Sequence, residues 1–355
     1  MVETGTRNGT AKPAERAFLV GVVAPDDPET YEEPLGELGR LTETAGAAVV
    51  GKSIQRRRRP DASTYIGKGK VNEIAEEARV ADADLVITDV DLSPAQIRNL
   101  ERALERRVVD RTELILDIFA MHARTHQAKL QVELAQMQYL MPRLRRMWTH
   151  LSREGGTGQS GGIGTRGPGE KQIEIDRRIL RKRITDLRRE LALIAARRQR
   201  LAASRERYFT VSLVGYTNAG KSTLLQRLTG SDAYIADQLF ATLDTQTRAW
   251  ELEDGKRVFL SDTVGFIRNL PHHLVASFYA TLEEVRSADL ILHVVDASHP
   301  DARIHAEAVE DVLRRIGAAT TPSILVLTKS DAVDDPLELR LLEGSWPTSV
   351  VVSAR

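Results

Sequence analysis

The sequence predicts an α/β chain in three parts: a small parallel α/β subdomain, a long antiparallel helical hairpin, and a doubly wound sheet entered through a glycine-rich turn. Three observations carry this reading. Short apolar runs alternate with helical stretches over the first 120 residues, two heptad seams follow, and from Phe209 a β-rich run opens into a glycine-rich turn and an amphipathic helix.

In the first part, residues 1–16 are polar with no apolar segment and read as a disordered tail. The subdomain predicted over residues 17–120 has strands at Ala17–Val23, Ala47–Gly51, Asp84–Thr88 and Val108–Val109, with helical stretches at Leu35–Ala45 and Pro94–Arg106. Residues 121–208 form the predicted hairpin. One seam runs Leu130, Leu134, Met137, Met141, Leu144, Trp148, Leu151, and the other runs Leu180, Ile184, Leu187, Leu191, Ile194, Leu201, broken only at Arg198. Steps of three and four residues keep each series on one helix face, so the two faces pack together. The connecting loop, Gly155–Gly169, is more than half glycine, which permits close approach of backbone to a partner. It contains a G-x-G-x-x-G match at Gly162–Gly167 and a G-x-S-x-G match at Gly158–Gly162. Neither follows a strand, so neither has the context its chemistry needs.

The formal net charge is zero, but its distribution is uneven. Between Arg124 and Arg207 there are twenty Lys/Arg against eight Asp/Glu, while both flanks are net acidic. That excess lies on the hairpin and suits an anionic partner such as nucleic acid; a solvated arginine-rich face is the competing reading. The chain has no cysteine, which excludes disulfides and thiolate chemistry. No apolar run approaches the roughly 20 residues needed to span a bilayer, so a soluble, cytosolic protein is expected. His122 and His126, four apart on a predicted helix, lack a third metal ligand, and His272-His273 reads as a solvated loop or helix start.

The third part, residues 209–355, carries the chemistry. Gly215–Ser222 reads G-x-x-x-x-G-K-S between a strand and a helix, the setting of a phosphate-binding loop. The backbone of Gly215, Tyr216, Thr217, Asn218, Ala219 and Gly220 is expected to cradle the β-phosphate. Lys221 neutralises β/γ charge, and the Ser222 hydroxyl ligates Mg²⁺. Asp262, Thr263, Val264 and Gly265 form D-x-x-G at a strand end. Asp262 is expected to hold a metal-bound water and Gly265 to present its N–H to the γ-phosphate. Thr328, Lys329, Ser330 and Asp331 form T-K-x-D after another strand. There, one carboxylate accepts two hydrogen bonds from guanine N1–H and the 2-amino group, donors that adenine lacks. Ser353, Ala354 and Arg355 follow the last strand and bring backbone toward guanine O6. The set points to GTP and GDP as ligands.

A threonine that completes the Mg²⁺ shell is expected between Ser222 and Asp262. Thr242, within Phe240, Ala241, Thr242, Leu243 and Asp244, is the candidate, with Thr245 and Thr247 nearby. Phe266 stands after Gly265, so no glutamine is present to position water, and slow hydrolysis awaiting a stimulating partner is expected. Asn218 offers a carbonyl oxygen as a candidate ligand for a monovalent cation such as K⁺.

With these residues in view, the chain resembles the HflX family of ribosome-associated GTPases. The resemblance rests on GYTNAGKS (Gly215–Ser222), FATLD (Phe240–Asp244), DTVGFIRNLP (Asp262–Pro271), GGIGTRGPGEKQIE (Gly161–Glu174) and YIGKGKV (Tyr65–Val71). It implies phosphate contacts at Gly215–Ser222, Mg²⁺ ligands at Ser222 and Thr242, and guanine contacts at Thr328–Asp331 and Ser353–Arg355. It also implies binding to the large ribosomal subunit through the glycine-rich loop, splitting or rescuing ribosomes under stress, with the ribosome stimulating hydrolysis; a monomer is expected. Two departures stand out. Thr328 replaces the commoner asparagine. The G domain stops at Arg355, before the closing helix and small C-terminal domain of family members, so this sequence is expected to be a piece of a longer protein.

Overall fold

The computed structural model describes residues 14–24, 35–144, 168–203, 208–230, 239–240, 243, 246–268 and 279–354. The chain divides into two compact units, one centred on residues 34–111 with the N-terminal segment, the other spanning 112–355.

The first unit is a four-stranded, all-parallel sheet. Its elements run β1 (Arg16–Val23), α1 (Gly36–Thr44), β2 (Ala48–Arg56), α2 (Lys68–Val80), β3 (Leu85–Thr88), α3 (Pro94–Leu104) and β4 (Arg107–Val109), in sheet order β2-β1-β3-β4. β3 is buried along its whole length, the pattern expected of a parallel strand covered on both faces. α3 starts where the sequence predicts. The Ser93 hydroxyl accepts the Gln96 N–H, the Gln96 side chain returns the bond, and proline occupies the first turn. Phe18, Val20, Ile74, Ile97, Leu100 and Val108 pack in one core cluster. α2 is not among the predicted elements: its N-cap, Gly67, supplies no side-chain cap. At the foot of this unit the Arg111 guanidinium is buried between Glu37 and Asp89.

The second unit opens with α4 (Arg111–His122) and α5 (His126–Leu140), the latter followed by a single 3₁₀ turn at Met141–Arg143. Here the sequence reading needs correction. His122 and His126 do not share a helix, because the Thr125 hydroxyl accepts the Ala128 N–H and caps a new one. His126 Nε2 instead lies 2.9 Å from Glu190, and no cluster of three metal-ligating acidic or histidine side chains occurs among the described residues. The helix α6 (Pro168–Ala203) returns against α5 and begins with Pro168 and Gly169, the last two residues assigned to the glycine-rich loop. Residues 145–167, including Trp148, Leu151 and the rest of that loop, lie outside the described residues.

Leu130, Leu134, Ile184 and Leu187 form the buried centre of the hairpin, flanked by Met137, Met141, Leu191 and Ile194. These eight of the predicted seam residues meet, as their spacing requires. The pairs His126–Glu190 and Glu133–Arg183 step forward on one helix as they step back on the other, which makes the pairing antiparallel.

The rest of this unit is a six-stranded sheet. Its elements are β5 (Phe209–Gly215), α7 (Lys221–Thr229), β6 (Gln246–Glu251), β7 (Arg257–Asp262), α8 (Tyr279–Arg286), β8 (Leu290–Asp296), α9 (Ala302–Ile316), β9 (Ser323–Thr328), α10 (Pro336–Ser345) and β10 (Val350–Val351). The order is β10-β9-β8-β5-β7-β6, parallel except for the antiparallel β6–β7 hairpin. From β5 the sheet grows one way through β7 and β6, then reverses to β8, β9 and β10. β5 therefore borders the topological switch point, where open α/β sheets bind ligands beyond their carboxyl ends. No helix among the described residues is long and apolar enough to cross a membrane.

Candidate nucleotide site

The glycine-rich turn sits at the carboxyl end of β5. A Cβ at Gly215 would lie 2.2 Å from the Val294 carbonyl oxygen, so only glycine lets β5 and β8 approach here. Asn218 and Gly220 take positive φ, 61° and 87°, wrapping the loop over the start of α7. The Asn218 side chain is exposed at the crown of the loop.

Lys221 lies buried under the loop, its Nζ donating to the Tyr216 carbonyl at 2.8 Å and the Gly215 carbonyl at 3.2 Å. Burial pushes this ammonium down to about 8 against the opposing pull of Asp262, because desolvation penalises the charged form. An anionic ligand in the loop would remove that penalty.

β7 delivers Asp262 to the same place. The Ser222 hydroxyl donates to Asp262 Oδ2 at 2.6 Å, and the Asp262 side chain is almost wholly buried. A hydroxyl and a carboxylate oxygen side by side at a helix N-terminus are hard donors that suit Mg²⁺. Beyond Asp262 the chain zips onto the loop: Phe266 N–H donates to the Gly215 carbonyl at 3.0 Å and Thr217 N–H to the Phe266 carbonyl at 2.8 Å. Gly265 lies within this zip. A Cβ there would stand 2.9 Å from Thr217 Cα and 3.1 Å from Lys221 Nζ, so the space beside the lysine stays open only for glycine. Phe266 is buried and turned inward.

The opposite end of the site forms where β9 and β10 finish. The Thr328 hydroxyl donates to the Ala219 carbonyl at 2.7 Å and lies 3.1 Å from the Val295 carbonyl, tying this strand end to the phosphate loop. Lys329 adopts φ 55° and pairs with Asp296 at 2.7 Å. Asp331 sits in a 3₁₀ turn, where its Oδ1 accepts the Ser353 hydroxyl at 2.7 Å. The Ser330 hydroxyl donates to the Val352 carbonyl at 3.1 Å, and Arg227 of α7 holds the Ala354 carbonyl at 2.7 Å. The two base-end motifs, 22 residues apart in sequence, thus form one hydrogen-bonded corner.

The structure therefore brings together Gly215–Ser222, Asp262–Gly265, Thr328–Asp331, Ser353 and Ala354. Ala241, Thr242, Asp244, Thr245, His272, His273 and Arg355 lie outside the described residues. Thr247 stands in β6, its hydroxyl 3.0 Å from that of Ser261. Phe240 and Leu243 are buried, Phe240 at φ 58° with its ring edge-on to Phe119 of α4 at 4.8 Å. Sequence reasoning does not single out Asp296, although an acid at the end of a buried strand next to the base end was a readable signal. Phe119 and His305 carry no local signal at all.

Comparisons with known proteins place the chain among GTPases. Three family models match in succession: "GTP-binding GTPase N-terminal" over residues 32–120, "GTP-binding GTPase Middle Region" over 122–205 and "50S ribosome-binding GTPase" over 210–329. The chain is 49% identical over 323 residues to GTPase HflX of Escherichia coli, covering 90% of this chain and 74% of that protein. It is 48% identical over 323 residues to GTPase HflX of Alkalihalophilus pseudofirmus, covering 90% and 75%. Among solved structures, the GDP complex of SsGBP superposes with a TM-score of 0.52 at 25% identity, covering 96% of this chain and 93% of that one.

Proposed function

The chain belongs to the HflX family of GTPases, and from that premise we propose that it couples GTP hydrolysis at this site to work on the large ribosomal subunit, splitting or rescuing ribosomes under stress. The loop Gly215–Ser222 holds the phosphates of GTP or GDP, and Lys221, buried beneath it, supplies the countercharge. Ser222 and Thr242 hold Mg²⁺, with Asp262 reaching it through water. The metal, when bound, neutralises charge on the β- and γ-phosphates. Asp331 reads the guanine edge, while Ser353, Ala354 and Arg355 supply backbone contacts to O6. Gly265 presents its amide to the γ-phosphate.

Phe266 cannot orient water by hydrogen bonding, so turnover stays slow until the ribosome completes the site. Asn218, which is exposed over the loop, contributes its carbonyl oxygen to binding K⁺. Loss of the γ-phosphate releases the Thr242 and Gly265 segments together.

The observation that carries the ribosomal reading is the hairpin. Its described helices pack through an antiparallel seam in the same compact unit as the nucleotide site, and the sequence from Arg124 to Arg207 carries twenty Lys/Arg against eight Asp/Glu. An arm of that charge facing rRNA releases counterions on binding, so affinity falls steeply with salt. The test is GTP turnover with and without purified large subunits at 50 and 200 mM salt. The expected result is strong stimulation that fades at the higher salt. Binding with no stimulation would reduce the chain to a nucleotide-switched rRNA-binding module, and neither binding nor stimulation would point to a protein or tRNA-modifying partner.

A further inference from the structure

Tyr216 is the second residue of the phosphate loop, yet its side chain plays no part in the phosphate cradle. The ring lies flat on the imidazole of His305 in the first turn of α9, with centroids 3.7 Å apart and planes 7° from parallel. His305 in turn leans on His299 at 4.3 Å, and the Tyr216 and His305 side chains are both buried. The phenolic oxygen accepts the backbone N–H of Arg268 at 2.8 Å. Arg268 is three residues past Gly265, so this bond extends the two that join Phe266 to Gly215 and Thr217. Among the described residues, hydrogen bonds from the Phe266 and Thr217 backbone and from Arg268 to Tyr216 join the segment from Gly265 to Arg268 to the phosphate loop, and the bond at Tyr216 uses a side chain.

We propose that Tyr216 is a positioning residue for GTP hydrolysis, its hydroxyl setting where the Gly265–Arg268 segment stands and His305 setting where the hydroxyl stands. The reason lies in Phe266. A segment without a water-orienting side chain contributes to the reaction through its backbone, the Gly265 amide above all. A backbone donor helps only while it is held where charge develops. Of the described residues in this segment, Arg268 is the farthest from the two Phe266 bonds, so the phenol acts where those bonds constrain the backbone least. Stacking on a buried ring removes most of the freedom of the Tyr216 side chain, so the phenol acts as a fixed peg. The role differs from nucleotide binding, because the bond acts on the segment facing the γ-phosphate, which GDP lacks.

This inference rests on hydrolysis at the site described above and not on the ribosomal reading, so its test uses the chain alone. Single-turnover GTP hydrolysis and GDP affinity are compared for the wild type, Tyr216→Phe, His305→Ala and His305→Phe, with amide exchange followed at Arg268. Losing one neutral hydrogen bond corresponds to a rate loss of about fivefold. Tyr216→Phe is expected to show that loss, with GDP affinity within twofold of wild type and faster exchange at Arg268. His305→Ala should move in the same direction although the hydroxyl remains, and His305→Phe, which keeps a flat ring, should recover most of the rate. An unchanged or raised hydrolysis rate in Tyr216→Phe overturns the proposal. So does a loss of GDP affinity in proportion to the rate, which would make Tyr216 a brace for the loop itself. A wild-type chain that bound no GDP would take the nucleotide site down with it, a result distinct from either.

Discussion

Lys221 offers the sharpest quantitative test, because its charge depends on whether the loop is filled. Burial holds this amine at about 8, against an ordinary value of 10.5. In the empty protein the neutral fraction is then about 0.1 at pH 7 and about 0.8 at pH 8.5. The sign for stability follows from proton counting. Between about pH 8 and 10.5 the unfolded chain binds more protons than the folded one, so stability of the empty protein rises with pH across that window. Below pH 8 the buried charge costs on the order of 3 kcal/mol. A diphosphate in the loop supplies the missing countercharge and restores the ammonium. GDP binding should therefore take up about 0.8 proton at pH 8.5, where the diphosphate itself is fully ionised, with affinity about fourfold weaker than at pH 7. Calorimetry in buffers of different ionisation enthalpy reads the uptake directly. Lys221→Arg, which keeps a permanent charge, should bind with the uptake abolished. Proton-neutral binding of GDP to the wild type at pH 8.5, or equal uptake by Lys221→Arg, would refute the account of this lysine.

Two further outcomes are expected. Asp331→Asn keeps an oxygen for the Ser353 hydroxyl but replaces a two-bond acceptor with a mixed donor and acceptor. GDP affinity should fall about 10- to 100-fold while xanthosine diphosphate gains, as competition binding would reveal; unchanged preference would remove Asp331 from the base contact. His293, in the middle of β8, is buried with its Nε2 unpartnered among the described residues, and burial pushes it down to about 4. The unfolded chain takes up its proton near pH 6.5 and the folded chain only near 4, so stability falls as pH drops through that interval, by about 2 kcal/mol at pH 5. His293→Leu should flatten this part of the denaturant midpoint against pH, and a midpoint equally acid-sensitive in the variant would show that other groups are responsible.

Much of the architecture was legible because it is written in short periods. The hairpin seams need only steps of three and four, and Leu130, Leu134, Met137 and Met141 do meet Ile184, Leu187, Leu191 and Ile194. Four strands and the capped start of α3 in the first unit also follow local signals, as does the phosphate loop, where glycine spacing, a lysine and a hydroxyl are contiguous. α2 escaped because a glycine N-cap leaves no side-chain signature, though its stripe Val71, Ile74, Ala78 was there to read. The break between His122 and His126 escaped for a different reason. The pattern of apolar residues runs on through it, and only the turn of the backbone at Thr125 shows that a second helix begins.

What the sequence alone determined is the chemistry of each motif: which residues can meet a phosphate, a hard cation or a guanine edge. What only the tertiary structure decided is the company those residues keep. Lys221 is a lysine in any context, but the depth of the loop lowers its proton affinity. Thr328 reaches Ala219 across 109 residues of chain, and Tyr216 finds its peg position on His305, almost 90 residues away. Contacts at such separations are made by the order of strands in a sheet, and that order depends on how whole faces bury one another rather than on any short pattern along the chain.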